Sequence, residues 1–172
     1  MKKISVIYGL IGGIIVSAFM ALTIPNMDAD TDMTLSMFMG FASMIVALST
    51  VFLGIKKYRD VYLNGVISFG KAFLIGLYIS LIASTMYVLT WMVISDLYMP
   101  NFMENYVEAQ LNAFEQTAAT AKEISQKREE LNAMAESYKN PVIKALYTYM
   151  EIFPVGLIIT LISSLILKRK PS

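Results

Sequence analysis

The chain has 172 residues, a formal net charge of +1 and a hydrophobic fraction of 56%. Its charged fraction of 16% is well below the roughly 25% of soluble domains, so the composition indicates a membrane protein. The sequence contains neither Cys nor His, which excludes disulfides, Cys-ligated metal sites, thiolate nucleophiles and the commonest general base. We therefore expect a non-enzymatic protein without a cofactor.

The first two predicted elements are uncharged apolar segments at residues 4–24 and 35–55. A helix needs about 20 apolar residues to cross a bilayer core of roughly 30 Å, and both segments are long enough. Lys2 and Lys3 resemble the basic start of a signal peptide, but the apolar run is long for one and no A-x-A-like cleavage site follows. The first segment is therefore predicted to be a retained span.

Basic residues follow the second span and indicate the orientation of the protein. One side of the predicted spans carries basic residues: Lys2, Lys3, Lys56, Lys57, Arg59, Lys71, Lys168, Arg169 and Lys170. The other side carries Asp28, Asp30, Asp32 and a mainly acidic segment at 96–140. By the positive-inside rule, both termini and the loop between spans two and three are cytoplasmic. We interpret the basic loop as a topology determinant and expect no nucleic-acid partner.

The third predicted span covers residues 72–95, and the segment at 101–139 that follows has the pattern of two amphipathic helices. Thr120 and Glu123 have the spacing of a capping box, which predicts a helix start, and Asn140-Pro141 predicts a helix end. A hairpin is the compact arrangement, and one long helix bent near Thr120 is the alternative. The apolar faces either pack on each other or bind a membrane or periplasmic protein partner.

The fourth predicted span, residues 145–167, contains one charged residue, Glu151, and a proline, Pro154, three positions later. An ionisable residue inside a span indicates a functional site by default. Two interpretations stay open. Glu151 anchors a kinked helix by hydrogen bonds to Tyr or Ser groups or by meeting Lys144, or it binds a proton or cation in a transport path.

Small residues recur at four-residue spacing in three predicted spans, so that each set shares one helix face. The sets are Gly9, Gly13 and Ser17 in the first span, Ala72, Gly76 and Ser80 in the third, and Gly156 and Thr160 in the fourth. Small faces let helix backbones approach closely in lipid. We expect these faces to pack within a four-helix bundle; a homo-oligomer interface is the alternative.

Several stretches together resemble a known family. They include YGLIGGII in span one, GIKKYRD at the end of span two, GVISFGKAF and YVLTW in and before span three, and EIFPVGLIITLISSLIL in span four. On these stretches the chain resembles the DUF4199 family of small membrane proteins, found mainly in Bacteroidota. The resemblance implies four spans in a bacterial inner membrane and no assigned activity, so no binding or catalytic residue is carried over.

These observations predict an all-α fold: a single integral membrane domain over residues 1–172, with a four-helix transmembrane bundle and an extracytoplasmic helical hairpin between spans three and four. We expect the protein to lie in the bacterial inner membrane, in contact with the lipid bilayer. The favoured function is non-enzymatic interaction or assembly through the outer helices. The alternative is a small oligomeric transporter or channel that uses Glu151.

Overall fold

The computed structural model describes residues 1–26, 33–117 and 120–169, which are helical over nearly their whole length. The all-α prediction is therefore confirmed. The helices are α1 (Lys2–Thr23), α2 (Met33–Leu48), α3 (Thr50–Tyr62), α4 (Phe69–Tyr98), α5 (Phe102–Glu115), α6 (Ala121–Tyr138) and α7 (Pro141–Leu167), with a short 3-10 turn at Ile24–Asn26 after α1. The predicted acidic residues Asp28, Asp30 and Asp32, and the basic Lys170, lie outside the described residues.

Among the described residues, four segments are long and apolar enough to cross a membrane, as predicted: Lys2–Asn26, Phe38–Tyr62, α4 and α7. The second of these segments is made of α2 and α3, which meet at Ser49. The Ser49 hydroxyl donates to the carbonyl of Val46 at 2.6 Å, so the joint satisfies its own polar groups, as a break at membrane depth requires.

The fourth span begins four residues earlier than predicted, at Pro141. The side chain of Asn140 accepts a hydrogen bond from the amide of Val142 at 2.9 Å. Proline is well placed at the first helical position because its missing N–H would have no partner there. The Asn140-Pro141 pair therefore starts α7 as well as marking the end of α6.

The small-residue face of α1 packs against α4. A Cβ added to Gly9 would lie 2.7 Å from the Cβ of Ile82, and one added to Gly13 would overlap Met86. One turn further, the hydroxyls of Ser17 and Thr90 are 2.7 Å apart. The residues of this set lie at the contact between α1 and α4 of one chain.

The corresponding faces of α4 and α7 meet each other. The Ser80 hydroxyl lies 3.2 Å from the carbonyl oxygen of Gly156 and 3.0 Å from the Thr160 hydroxyl. A Cβ on Gly76 would lie 2.7 Å from the Thr160 side chain. Ala72 is fully buried in the same interface, in a cluster nearer the chain termini. Dispersion and two buried hydroxyl contacts thus hold α4 against α7.

Arg59 stabilises the end of the bundle at which α1 begins and α7 ends, here called the terminal end. This side chain is 7% exposed and its Nη1 donates to the carbonyl oxygen of Leu167 at 3.3 Å. Beside it, Ile67 and Arg169 exchange two backbone hydrogen bonds of 3.2 and 2.9 Å. A guanidinium at the last carbonyls of α7 also complements the negative end of the helix dipole.

Helices α5 and α6 pack against each other as a hairpin at the opposite end of the bundle, here called the hairpin end. The predicted capping box is present: the backbone N–H of Thr120 donates to Glu123 Oε2 at 2.7 Å, and the Thr120 hydroxyl accepts from the Glu123 amide at 3.3 Å. The backbone N–H and the hydroxyl of Thr120 each donate to Glu123 Oε2 at 2.7 Å, and these two bonds hold the pKa of Glu123 below its ordinary value. Leu111 and Leu131 are the buried residues of the two hairpin helices.

Candidate functional site

A cavity of 720 Å³ lies at the hairpin end, between the spans and the base of the hairpin. Helices α1, α2, α4 and α7 supply its walls, and Phe102, Met103 and Tyr106 of α5 with Met134 and Tyr138 of α6 close it from the hairpin side. Binding cavities for small molecules commonly measure about 300–1,000 Å³ and are lined mainly by apolar and aromatic groups. This cavity has that size and lining.

The cavity exists because α2 fits the bundle closely along only part of its length. Met44, Ala47 and Leu48 are buried against the other spans. Toward the hairpin end, Phe38 is 70% exposed and a Cβ added to Gly40 would meet nothing within 4 Å. This part of α2 therefore forms one side of a gap instead of filling it.

Aromatic rings form one continuous wall of the cavity. Ring centres are 4.9 Å apart for Trp91 and Phe102, 6.1 Å for Phe102 and Tyr138, and 6.2 Å for Tyr138 and Tyr147. The indole Nε1 of Trp91 donates to the Tyr138 hydroxyl at 2.7 Å. Burial raises the pKa of Tyr138 above its ordinary value, so the phenol remains neutral. These contacts fix the hairpin base to α4 and α7.

Glu151 lies in this cavity wall, on the face of α7 that also presents Tyr147 and Thr148. It is the only charged residue among the described residues that line the cavity. Of the residues described, none forms a hydrogen bond or an ion pair with its carboxylate. Pro154 is exposed on a different part of α7, which remains helical through the proline. The structure therefore brings Glu151, but not Pro154, to the cavity.

The expected contact between Glu151 and Lys144 is not formed, because Lys144 has another partner. Its Nζ lies 2.5 Å from the carboxylate of Asp96 on α4 and 5.8 Å from the centre of the Tyr138 ring. The Lys144 side chain is only 10% exposed. It thus joins α7 to α4 and to the hairpin base, and no cation among the described residues pairs with the Glu151 carboxylate.

No pattern in the sequence predicts that Trp91, Phe102 and Tyr147 share one cavity wall. The contacts between these residues cross long sequence separations, such as the 47 positions between Trp91 and Tyr138. The one local feature that distinguishes any of these residues is that Trp91 is the single Trp of the chain. Within residues 1–26, 33–117 and 120–169, no three acidic side chains come together as a metal site would require.

The described part of the chain thus contains four helices long and apolar enough to cross a membrane, with a helical hairpin at one end of them. The chain belongs to the DUF4199 family, described as a protein of unknown function, which matches residues 7–169. The resemblance inferred from the sequence is thereby confirmed. No curated protein and no solved structure matches the chain.

Proposed function

We propose that this protein is a non-enzymatic membrane protein that binds an apolar small molecule in the cavity between its spans and its helical hairpin. The observation that carries the proposal is the 720 Å³ cavity, whose size and aromatic lining match known ligand sites. Five methionines, Met20, Met39, Met99, Met103 and Met134, also line the cavity. Their flexible side chains can adapt to ligands of different shape.

The hairpin covers the ligand in this proposal. Its base supplies aromatic and Met side chains to the cavity. The middle of the hairpin buries Leu111 and Leu131. The hydrogen bond between Trp91 and Tyr138 and the ammonium group of Lys144 over the Tyr138 ring hold the base in place. A cover attached by so few polar contacts can open by local motion without disturbing the spans.

The proposal places the protein in the bacterial inner membrane with both termini in the cytoplasm. The support is the charge distribution: α1 and α4 begin, and α3 and α7 end, beside basic residues at the terminal end. Cytoplasmic loops are enriched in Lys and Arg. The cavity and hairpin then face the outer leaflet and the periplasm. Fusions of a cytoplasm-active reporter to the C-terminus and to the hairpin tip test this orientation.

The single tryptophan provides a direct test of cavity binding, because Trp91 lines the cavity. A brominated alkane titrated into the protein in micelles is expected to quench Trp91 fluorescence with a saturable curve. Gly40→Phe places a large side chain at an open position of the cavity wall, and Gly70→Phe makes the same change at an open position near the terminal end. We expect only Gly40→Phe to abolish saturation. Equal, non-saturable quenching in all three proteins would contradict the proposal.

Interaction with a membrane or periplasmic protein through the hairpin stays a second candidate function. The hairpin exposes a polar surface, on which Gln126 and Glu129 are accessible. A photoreactive residue at position 126 is expected to cross-link a discrete partner in native membranes. Deletion of residues 101–139 is then expected to abolish that capture while the spans still insert. Cross-links to lipid or to the protein itself alone would count against this function.

Transport is a third candidate, favoured by the position of Glu151 in the cavity wall. The chain shows no inverted repeat between its halves, and four spans are few for a carrier, so a transporter would have to be oligomeric. Glu151→Gln is expected to abolish pH-dependent flux into liposomes if transport occurs. Absence of flux in the wild-type protein would remove this candidate.

A further inference from the structure

The Glu151 side chain is exposed at the cavity wall and lacks a partner among the described residues, in surroundings that are mainly apolar. No described residue donates a hydrogen bond to it, and the nearest candidate cation on α7, Lys144, is engaged by Asp96 at 2.5 Å. A carboxylate in a low-polarity site is costly unless a cation or hydrogen-bond donors compensate it. The structure therefore contains one half of an ion pair in the wall of a cavity that can hold a ligand.

The rest of the cavity wall is suited to binding a cation. Aromatic faces attract cations through their quadrupole, most strongly when water is excluded. The rings of Trp91, Phe102, Tyr138 and Tyr147 succeed one another along the wall at centre distances of 4.9–6.2 Å. One ring of this wall already lies 5.8 Å from the protein's own ammonium group, at Lys144.

The charges that neighbour the cavity do not oppose a bound cation. Lys144 is neutralised by Asp96, and Lys139, next to Tyr138, by Glu136. The other basic residues of the spans lie at the terminal end, beyond the length of α7 that follows Glu151. Counting from Glu151 to Leu167, that length is about 24 Å at 1.5 Å per residue. The field in the described part of the cavity is therefore set mainly by one negative group.

We propose that the cavity selects a lipophilic organic cation, with Glu151 as the counter-ion and the aromatic wall as the contact for its apolar body. This inference rests on the proposed ligand-binding function and names the chemical class of the ligand. Size and apolarity alone would admit any hydrophobic molecule of suitable volume. The carboxylate adds the selectivity, because a neutral molecule of the same shape leaves it unpaired.

Tetraphenylphosphonium and triphenylphosphine oxide form a suitable pair of probes, because both present phenyl rings but only the first is a cation. Binding is followed by Trp91 fluorescence in dodecylmaltoside micelles, whose headgroup is uncharged. We expect the phosphonium to bind saturably and more tightly than the oxide. Glu151→Gln should weaken phosphonium binding by about tenfold or more and leave oxide binding unchanged.

Two further variants separate the charge from other effects. Glu129→Gln removes a carboxylate from the exposed face of the hairpin and should bind both probes as the wild type does. Glu151→Asp keeps the negative charge and should retain most of the preference for the phosphonium. Since Glu151 bonds to no described residue, its Gln variant is expected to fold, which circular dichroism and gel filtration verify.

The outcomes are distinguishable. Equal affinity for the two probes, or a Glu151→Gln variant that binds the phosphonium like the wild type, would overturn the assignment of a cation. So would a loss of oxide binding in Glu151→Gln, which would mean that a protonated Glu151 recognises a neutral acceptor. In each case saturable quenching by a brominated alkane would leave the ligand cavity standing. Failure of the alkane as well would remove the proposed function itself.

Discussion

Helix α1 packs closely against α2 and α3 at Gly12, and a single methyl group there is expected to destabilise the bundle. A Cβ on Gly12 would lie 2.7 Å from Thr50 Oγ1 and 2.9 Å from the carbonyl oxygen of Ala47. These two atoms cannot move apart freely, because the Thr50 hydroxyl donates to that same carbonyl at 2.7 Å. Gly12→Ala must therefore displace α1 or break a buried hydrogen bond.

The size of this effect follows from a matched pair of variants. Overpacking a close contact costs about 1–3 kcal/mol, whereas Ala in place of Gly gains up to about 1 kcal/mol of helix propensity. Gly40→Ala makes the same change in α2 with nothing within 4 Å of the new methyl group. Because the propensity gain is common to both, their difference in unfolding free energy isolates the clash, at about 1–3 kcal/mol.

Unfolding by SDS titration in mixed micelles, followed by circular dichroism, measures that difference. For a chain of this length, each kcal/mol corresponds to a shift of about 2–4 °C in melting temperature, so a thermal scan provides a second measure. We expect Gly40→Ala to match or exceed the wild type and Gly12→Ala to fall below it. Equal stability of the two variants would refute the close contact between α1 and the joint of α2 and α3.

Three further predictions concern the two ends of the bundle. Arg59→Ala removes a charged donor from the last carbonyl of α7 and should lower the unfolding free energy by about 1.5–3 kcal/mol. Lys57 is an exposed basic residue of the same helix, so Lys57→Ala should have little effect. Equal losses of unfolding free energy in the two variants would argue against a stabilising bond from Arg59 to α7. The pKa of Tyr138 is raised by burial, so its neutral form contributes stability that is complete below about pH 10 and is lost as the pH rises through the folded-state pKa. Tyr138→Phe should reduce the fall of melting temperature as the pH rises above about 10. A fall as large as that of the wild type would contradict this prediction. Thr120→Ala removes the side-chain cap of α6 and should speed amide exchange in its first turn. The pKa of Glu123 is lowered by bonds from the backbone N–H and the hydroxyl of Thr120, and the variant keeps only the backbone bond. Acid should therefore weaken the wild-type cap more than that of the variant, and an equal acid response in both would oppose this reasoning.

Local features of the sequence predicted much of the fold. The four spans were found because a helix must satisfy its own backbone groups in lipid, which requires long uncharged segments. The capping box at Thr120 and Glu123 was found because it needs only residues three positions apart. The predicted start of α7 lies four residues too late, because the Asn140-Pro141 pair that predicts the end of α6 also begins α7.

The family was also determined by the sequence alone, since the stretches that carry it are read directly from the chain. Glu151 was recognised as a candidate because a carboxylate within a span is unusual wherever the helices pack. Its environment was not predictable. Whether Lys144 pairs with Glu151, on the same helix, or with Asp96, 48 positions away, depends on how α7 faces α4.

Only the tertiary structure decided that a cavity exists and what lines it. A cavity is the space that helices fail to fill, so it depends on their relative angles and not on the pattern of any one of them. The sequence singled out Gly9 and Gly13 by their spacing, but Gly12, at no such spacing, makes the closest approach to a backbone oxygen. The contact between Trp91 and Tyr138 likewise depends on long-range packing and not on a local sequence pattern.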